Sequence, residues 1–329
     1  MATSLLATII NSKYDKTPAI LIGNGINRIT NNNLSWEDIL DELIMVGNKQ
    51  TRKGNKPLTF LFEEILHSME GGATRGNEQK LKEAAGKALD SLIHNELHEK
   101  FMGLKMEHFF TTNYDYCLER AADPLFKKTK AKKKEGESKK HSLCRYNRVN
   151  NKFVWHIHGE VDNGLIDEKN NYPEKSVMFG FDQYMRTLMD MSALLNDGSY
   201  INQKIKHPER NTLEEIFSNL VNTEIINRSW ISFFFTHDIH IIGLDLGVHE
   251  TDLWWLLHYR RKLADRKMLA YKNTLTFYVP SYELLHKRDQ LELLQSLGVN
   301  LVEVQCAYNK GNFYREFYEN AYELIRLLL

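Results

Sequence analysis

Four apolar runs in this chain end abruptly in small or polar residues that a hydrophobic core cannot use. They close on Gly23-Asn24-Gly25-Ile26-Asn27, Thr111-Thr112-Asn113-Tyr114-Asp115, His156-Ile157-His158-Gly159 and Gly243-Leu244-Asp245-Leu246-Gly247. The first, Pro18 to Asn27 (PAILIGNGIN), sets the pattern: Ala19 to Ile22 suit a strand buried on both faces, and the glycines turn the chain straight after it. Two glycines let backbone approach an anion, and a following helix would offer unpaired N–H groups to a phosphate. A plain strand-to-helix turn accounts for the same residues, since Arg28 stands where the usual dinucleotide fingerprint has its third glycine.

Strands and helices alternate along the chain, which predicts an α/β fold: a Rossmann-like doubly wound parallel sheet with an additional helical subdomain built from insertions. Strands are expected at Ala19 to Ile22, Glu107 to Thr112, Phe153 to His158, Ser176 to Gly180, Asp238 to Leu244, Thr274 to Pro280 and Val299 to Gln305. Helices are expected at residues 2 to 12, from Ser35 (an N-cap) to Val46, Leu58 to Met69, His249 to Lys262, Tyr282 to Leu297, and from Phe313. Between Glu78 and Phe101 the apolar positions Leu81, Ala85, Ala88, Leu89, Leu92, Ile93 and Leu97 keep helical spacing, which predicts one long amphipathic helix. The expected organisation is a single domain over 1–329, its core at 13–30, 103–182 and 236–329, with helical insertions at 31–102 and 183–235. In such a sheet the four polar strand ends meet along one edge, where ligands bind.

Lys plus Arg and Asp plus Glu number 43 each, so no global field draws the chain to nucleic acid or anionic membrane. The lysine-rich run Lys127 to Lys140 is expected to be a surface loop and the one local place for nucleic-acid contact. Cys117, Cys144 and Cys306 are odd in number and widely spaced, which argues against a disulfide framework or structural zinc and fits a reducing cytoplasm. No segment reaches 18 uninterrupted apolar residues, and the short run Leu5 to Ile10 lacks a basic start, so neither membrane spanning nor export is expected.

Several polar residues suit two roles. Asn113 and Asp115 can cap the helix after their strand or meet a ligand, and His158 can pack in the core or act as a base. His156, two positions earlier and on the same strand face, suits packing or orienting the site. His94 and His98 have a ligand spacing without a third ligand and are read as solvated or capping. Trp254 and Trp255 are read as core or interface residues.

GNGIN, TTNYD, HG and GLDLG, in that order, resemble the NAD-binding core of the sirtuin superfamily over roughly residues 18 to 280, and Gly180 to Tyr184 (GFDQY) resembles its divergent members in prokaryotic antiphage systems. The resemblance implies an NAD-cleaving enzyme. Gly23, Asn24, Gly25 and Gly243 would line the dinucleotide phosphates, with Asn27 and Thr112 also on the NAD side. Asn113 would hold the nicotinamide ribose or a water beneath it, Asp115 would meet the carboxamide, and His158 would be the general base. Asp245, where sirtuins carry serine, would repel a phosphate and so would bond a ribose hydroxyl or face away. Glu160 to Tyr172 contains no cysteine, unlike the zinc module of sirtuin deacylases, so water is the expected acceptor and no metal is expected. The implied function is an NAD glycohydrolase that releases nicotinamide and ADP-ribose as a regulated effector, controlled by self-assembly or a separately encoded protein partner. The alternatives are a zinc-free NAD-dependent deacylase and a nucleotide-sensing module without turnover.

Overall fold

A computed structural model describes residues 15–30, 36–47, 50–54, 56–126, 143, 146–161, 177–196, 229–247, 250–266, 272–307 and 313–329. The expected helix at 2 to 12, the Ser35 cap, Cys144, the run Lys127 to Lys140, residues 162–172 and residues 197–228 of the expected helical insert lie outside these. Seven strands form one sheet: β1 (Asp15–Ile22), β2 (His108–Thr111), β3 (Asn147–Val149), β4 (Lys152–His156), β5 (His237–Ile242), β6 (Leu275–Pro280) and β7 (Asn300–Val304), in the order β3-β4-β2-β1-β5-β6-β7.

Every pairing is parallel except β3 with β4. Leaving out the antiparallel edge strand β3, the chain order along the sheet reads third, second, first, fourth, fifth, sixth. That is the doubly wound arrangement, and its winding reverses between β1 and β5. One register row crosses the four motif-bearing strands, pairing His156 with Thr111, Thr111 with Ile22, and Ile22 with Ile242. The four polar strand ends therefore lie side by side, as their order along the chain predicts.

Alternation along β1 builds the core on both faces. Ala19 and Leu21 join one cluster with Phe110, Trp155, Phe233 and Leu256, while Ile20 and Ile22 join another with Phe101, Phe109, Tyr318 and Ile325. Each aliphatic side chain so buried contributes about 1.5–3 kcal/mol relative to exposure. The first cluster is covered by α7 (Trp230–Thr236), α8 (Thr251–Asp265) and α9 (Arg288–Ser296), the second by α4 (Glu96–Met102) and α10 (Phe313–Leu328). Helices α1 (Trp36–Gly47), α2 (Leu58–Ser68) and α3 (Arg75–Asp90) make a third cluster of their own, which meets the sheet edge through Tyr114, Cys117, Val161 and Phe179. The remaining helices, α5 (Cys117–Ala122) and α6 (Phe181–Asn196), come after β2 and the Gly180 turn. No helix among the described residues is long and apolar enough to cross a membrane.

Four local expectations need correction. The long helix from Glu78 to Phe101 is two helices, because Asn95 accepts from the amides of Leu97 and His98, and His98 accepts from the Asn95 amide, starting α4 afresh with a capping box. Of the strand expected at Ser176 to Gly180, the described residues 177–180 form only a single bridge, between Val177 and Gly159. The helix expected from Tyr282 is a 3-10 turn (Ser281–Glu283) followed by the shorter α9. Finally, β4 stops at His156, so His158 sits in the turn beyond the strand. Trp254 and Trp255 pack against the first cluster, and Cys117 and Cys306 are buried free thiols whose pKa burial raises.

Candidate active site

At the winding reversal the ends of β1 and β5 nearly touch. The Gly23 amide donates to the Ile242 carbonyl at 2.9 Å and the Gly25 amide to the Gly243 carbonyl at 3.2 Å. A Cβ on Gly23 would overlap the Gly243 carbonyl, and one on Gly243, whose φ is +67°, would overlap the Tyr318 hydroxyl. These two amides are thus engaged with β5, and the glycines serve close approach rather than amide donation. Beyond β1 the chain enters a six-residue 3-10 turn (Asn24–Ile29), not an α-helix.

The turn's polar side chains point into a buried network. Asn27 donates to Asn24 Oδ1 and to Asp115 Oδ2, both at 2.8 Å. The other Asp115 oxygen accepts the Cys117 amide, so Asp115 caps α5 and braces Asn27 together. His98 Nε2 lies 3.0 Å from Asn27 Oδ1, and its Nδ1 accepts from the Asn95 amide, which fixes Nε2 as the protonated nitrogen. Burial drops the His98 pKa to about 4, keeping the ring neutral. His98 is therefore capping but buried, not solvated.

Two adjoining cavities open above this network. The outer cleft, of about 470 Å³, is lined by Asn24, Gly25, Gly243, Asp245, Lys287 and Tyr318 among others. The inner chamber, of about 50 Å³, is lined on its polar side by Thr112, Tyr114, His158, Tyr184 and Glu250, and on its apolar side by residues such as Ile39, Leu43, Phe62 and Phe179. Leu58, Thr112 and Glu250 line both, so the two cavities adjoin there. Asp245 sits on the cleft rim, 71% exposed, and is paired with Lys287 at 2.7 Å. A cation thus stands beside the carboxylate, softening its repulsion of an anion.

In the chamber, His158 Nε2 lies 3.1 Å from Asp252 Oδ2, and the Tyr184 hydroxyl lies 3.4 Å from His158 Nδ1. Burial alone would lower the His158 pKa, but the charge and hydrogen bond of Asp252, with Glu250 beyond, raise it above its ordinary value. Glu250 itself is pushed up to about 8 by burial. Tyr114 donates to the Met178 carbonyl, holding the Gly180 turn and hence Tyr184 against the histidine.

Asn113 lies under the same edge. Its side-chain amide nitrogen donates to the Gly23 carbonyl at 3.4 Å, while its buried Oδ1 has no hydrogen-bond partner among the described residues. Its backbone carbonyl accepts from His156 Nδ1 at 2.7 Å. The other ring nitrogen of His156 reaches Glu119 at 2.8 Å, and Glu119, outweighing burial and aided by Glu160, raises the His156 pKa to about 9. His156 and His158 thus serve separate networks rather than one strand face. Glu119, His156 and Glu160 offer ligand atoms within 4.8 Å of one another, the group among the described residues that can hold a metal. In the metal-free arrangement the Asn147 amide donates to both carboxylates.

The structure accordingly places Asn24, Gly25, Thr112, Gly243, Asp245 and His158 on the two cavities, with Asn27, Asn113 and Asp115 in the buried network behind them and Gly23 closing β1 on β5. Sequence reasoning missed Asp252 and Glu250. Their signal is an acidic pair just past the GLDLG strand end, which also reads as ordinary acidic residues opening a helix.

Residues 107–231 match the family model of the SIR2-like domain. The span holds TTNYD, the His158-Gly159 pair and Gly180 to Tyr184; GNGIN and GLDLG lie outside it and are joined to it by the register row. No curated protein matches the chain. Over that span the chain is similar to SIR2-like domains, a superfamily of NAD-dependent enzymes.

Proposed function

We propose that this chain is an NAD glycohydrolase, binding NAD in the outer cleft and releasing nicotinamide and ADP-ribose. The observation that carries the reading is the His158–Asp252 pair, with His158 on the wall of a chamber that adjoins a cleft at the winding reversal. On the chamber's measure a water needs roughly 10–15 Å³. The chamber therefore has room for a few waters beside the cleft.

Nicotinamide in NAD is already a cationic leaving group and needs no general acid. The site must orient the ribose, favour positive charge developing on its C1′ carbon and supply a nucleophile. Asn113, with its unpartnered oxygen, would hold the ribose or a water, and His158, held through Nε2 by Asp252, would accept a proton at Nδ1. Gly23, Asn24, Gly25 and Gly243 would admit the phosphates, with Lys287 offsetting Asp245. An effector of this kind would act in antiphage defence from the cytoplasm, held inactive through self-assembly or a separately encoded protein; the resemblance to antiphage domains supports that context.

Purified protein incubated with NAD is expected to yield nicotinamide and ADP-ribose. Asn113→Ala and His158→Ala should each lower turnover by about a hundredfold or more. Full activity in both variants would place the chemistry elsewhere. The apolar wall of the chamber favours a second reading, a deacylase that seats an acyl chain there. In that case nicotinamide release would depend on added acyl-lysine peptide.

A further inference from the structure

We infer that Glu250 is a second catalytic residue, the carboxylate that takes the proton from the attacking water where the inner chamber adjoins the cleft. The inference rests on the hydrolase reading above. Glu250 is the N-cap residue of α8, and its side chain makes no capping hydrogen bond. The short side chains of Ser, Thr, Asp and Asn are the ones that bond the free amides of the first turn, and the longer glutamate is left to reach elsewhere. Here Glu250 is 6% exposed, its Oε2 has no hydrogen-bond partner among the described residues, and it lines both cavities. A buried carboxyl oxygen without a partner is costly, and it is tolerated where a ligand or water completes it.

Position separates its role from that of His158. Of the two, only Glu250 borders the cleft as well as the chamber, so it faces water in either. His158 lies deeper, between Asp252 and Tyr184. The titratable groups that act on Glu250 are His158, Asp252 and Asp245, with Tyr114 and Tyr184 across the chamber. In the empty site Glu250 holds its proton, because burial disfavours the anion. A cationic nicotinamide ring arriving in the cleft favours the carboxylate, and that proton leaves to solvent on binding. The C1′–N bond then breaks with its electron pair going to nicotinamide, which departs neutral. Water oxygen bonds C1′, and the water proton passes to Glu250 Oε2 and afterwards to solvent. His158 is left to accept from a ribose hydroxyl.

The test is Glu250→Gln, which keeps the shape and removes the base. Three quantities are measured on wild type and variant: NAD binding by calorimetry in buffers of differing ionisation enthalpy, NAD hydrolysis, and incorporation of labelled nicotinamide into NAD. Exchange of the base needs C1′–N cleavage without activated water. The expected result is hydrolysis lowered by about a hundredfold or more, with NAD affinity and base exchange retained. Binding should release a proton from wild type and none from the variant, a readout independent of turnover. Hydrolysis unchanged in Glu250→Gln overturns the role of Glu250 and leaves the hydrolase reading standing. Hydrolysis and exchange lost together, with binding retained, also overturn it, since the residue then acts on bond cleavage. Wild type that binds NAD without cleaving it overturns the hydrolase reading and this inference with it. A variant that melts well below wild type is replaced by Glu250→Asp, whose shorter reach should lower hydrolysis more than exchange.

Discussion

His158 and Asp252, 94 residues apart in sequence, meet at 3.1 Å with both side chains almost wholly buried. The pairing decides which imidazole nitrogen can work. With Nε2 committed to the carboxylate, Nδ1 is the nitrogen left beside Tyr184 in the chamber. Asp252→Asn would remove the charge and leave the ring orientation unspecified. NAD turnover should fall by about a hundredfold or more. The pH profile should also move. Burial would then dominate at His158, lowering its pKa, so the rising limb of the rate shifts to lower pH. Glu250 and Tyr184 also face the ring, so the profile is best compared within the same background. A variant with wild-type turnover and an unmoved limb would show that the pair is structural.

Asn113 allows structure and chemistry to be separated. Its backbone carbonyl anchors His156, whereas its side chain makes one long bond to the Gly23 carbonyl and leaves Oδ1 unpartnered. Asn113→Ala should therefore keep the His156 anchor and melt close to wild type, while NAD turnover collapses. Chromatographic measurement of NAD loss beside a thermal melt checks both halves. Loss of stability equal to the loss of turnover would mean that the side chain serves only folding.

The parts of this molecule that were legible in the sequence are those set by burial. A parallel strand covered on both faces is a continuous apolar run, so β1, β2, β4 and β5 and the polar residues that end them stand out, and alternation with helices fixes the doubly wound sheet. Features set by a single side chain were hidden. Apolar spacing runs unbroken through Leu92, Ile93 and Leu97, and only the Asn95 side chain, turning onto the amides ahead of it, breaks that helix in two. The three-residue β3 is too short to carry a pattern. Strand alternation placed His156 and His158 on one face, but β4 ends between them and each ring finds a different carboxylate, Glu119 and Asp252. Those carboxylates, with Glu250, lie in or next to the first turns of helices, where an acidic residue already has a reason to be.

The closeness of β1 and β5 rests on Gly243. An alanine there would adopt an unfavourable positive φ and push its methyl into the Tyr318 hydroxyl, itself buried and without a partner. Gly243→Ala is expected to destabilise the fold by more than about 1 kcal/mol, the scale for alanine forced to positive φ. NAD binding should weaken as well, since Gly243 and Tyr318 both line the cleft. Adding Tyr318→Phe removes the nearest overlap but leaves the ring carbon Cζ 2.6 Å from the new methyl and the backbone strain in place, so the double variant should recover only some of the lost stability in urea titrations. Full recovery would show that φ strain is negligible; no recovery would show that the overlap is relieved elsewhere.

Two buried histidines give the fold opposite dependences on pH. His156, raised to about 9 by Glu119 against the opposing effect of burial, binds its proton more tightly folded than unfolded. Its stabilisation is fully present below the unfolded pKa of about 6.5 and is lost as pH rises through about 9. His98, lowered to about 4 by burial, is held neutral by the fold. Its stabilisation is present above about 6.5 and is lost as pH falls through about 4. Glu250, raised by burial from an ordinary 4.5 to about 8, loses its contribution as pH rises from about 4.5 to about 8, because unfolding frees it to ionise; it offsets the His98 effect on the acid side and adds to the His156 loss above about 6.5. The melting temperature should therefore fall as pH rises from about 6.5 to about 9. Glu119→Gln should lower it overall by removing one partner of a buried pair, a change on the order of 3–5 kcal/mol, and should flatten the alkaline limb, since the charge that holds the His156 proton is gone. His98→Gln, whose amide oxygen can still accept from the Asn95 amide, should change the profile only below about pH 6.5. A wild-type melting temperature that stays level from about pH 6.5 to about pH 9 would contradict the Glu119–His156 pairing on which the backbone position of Asn113 depends.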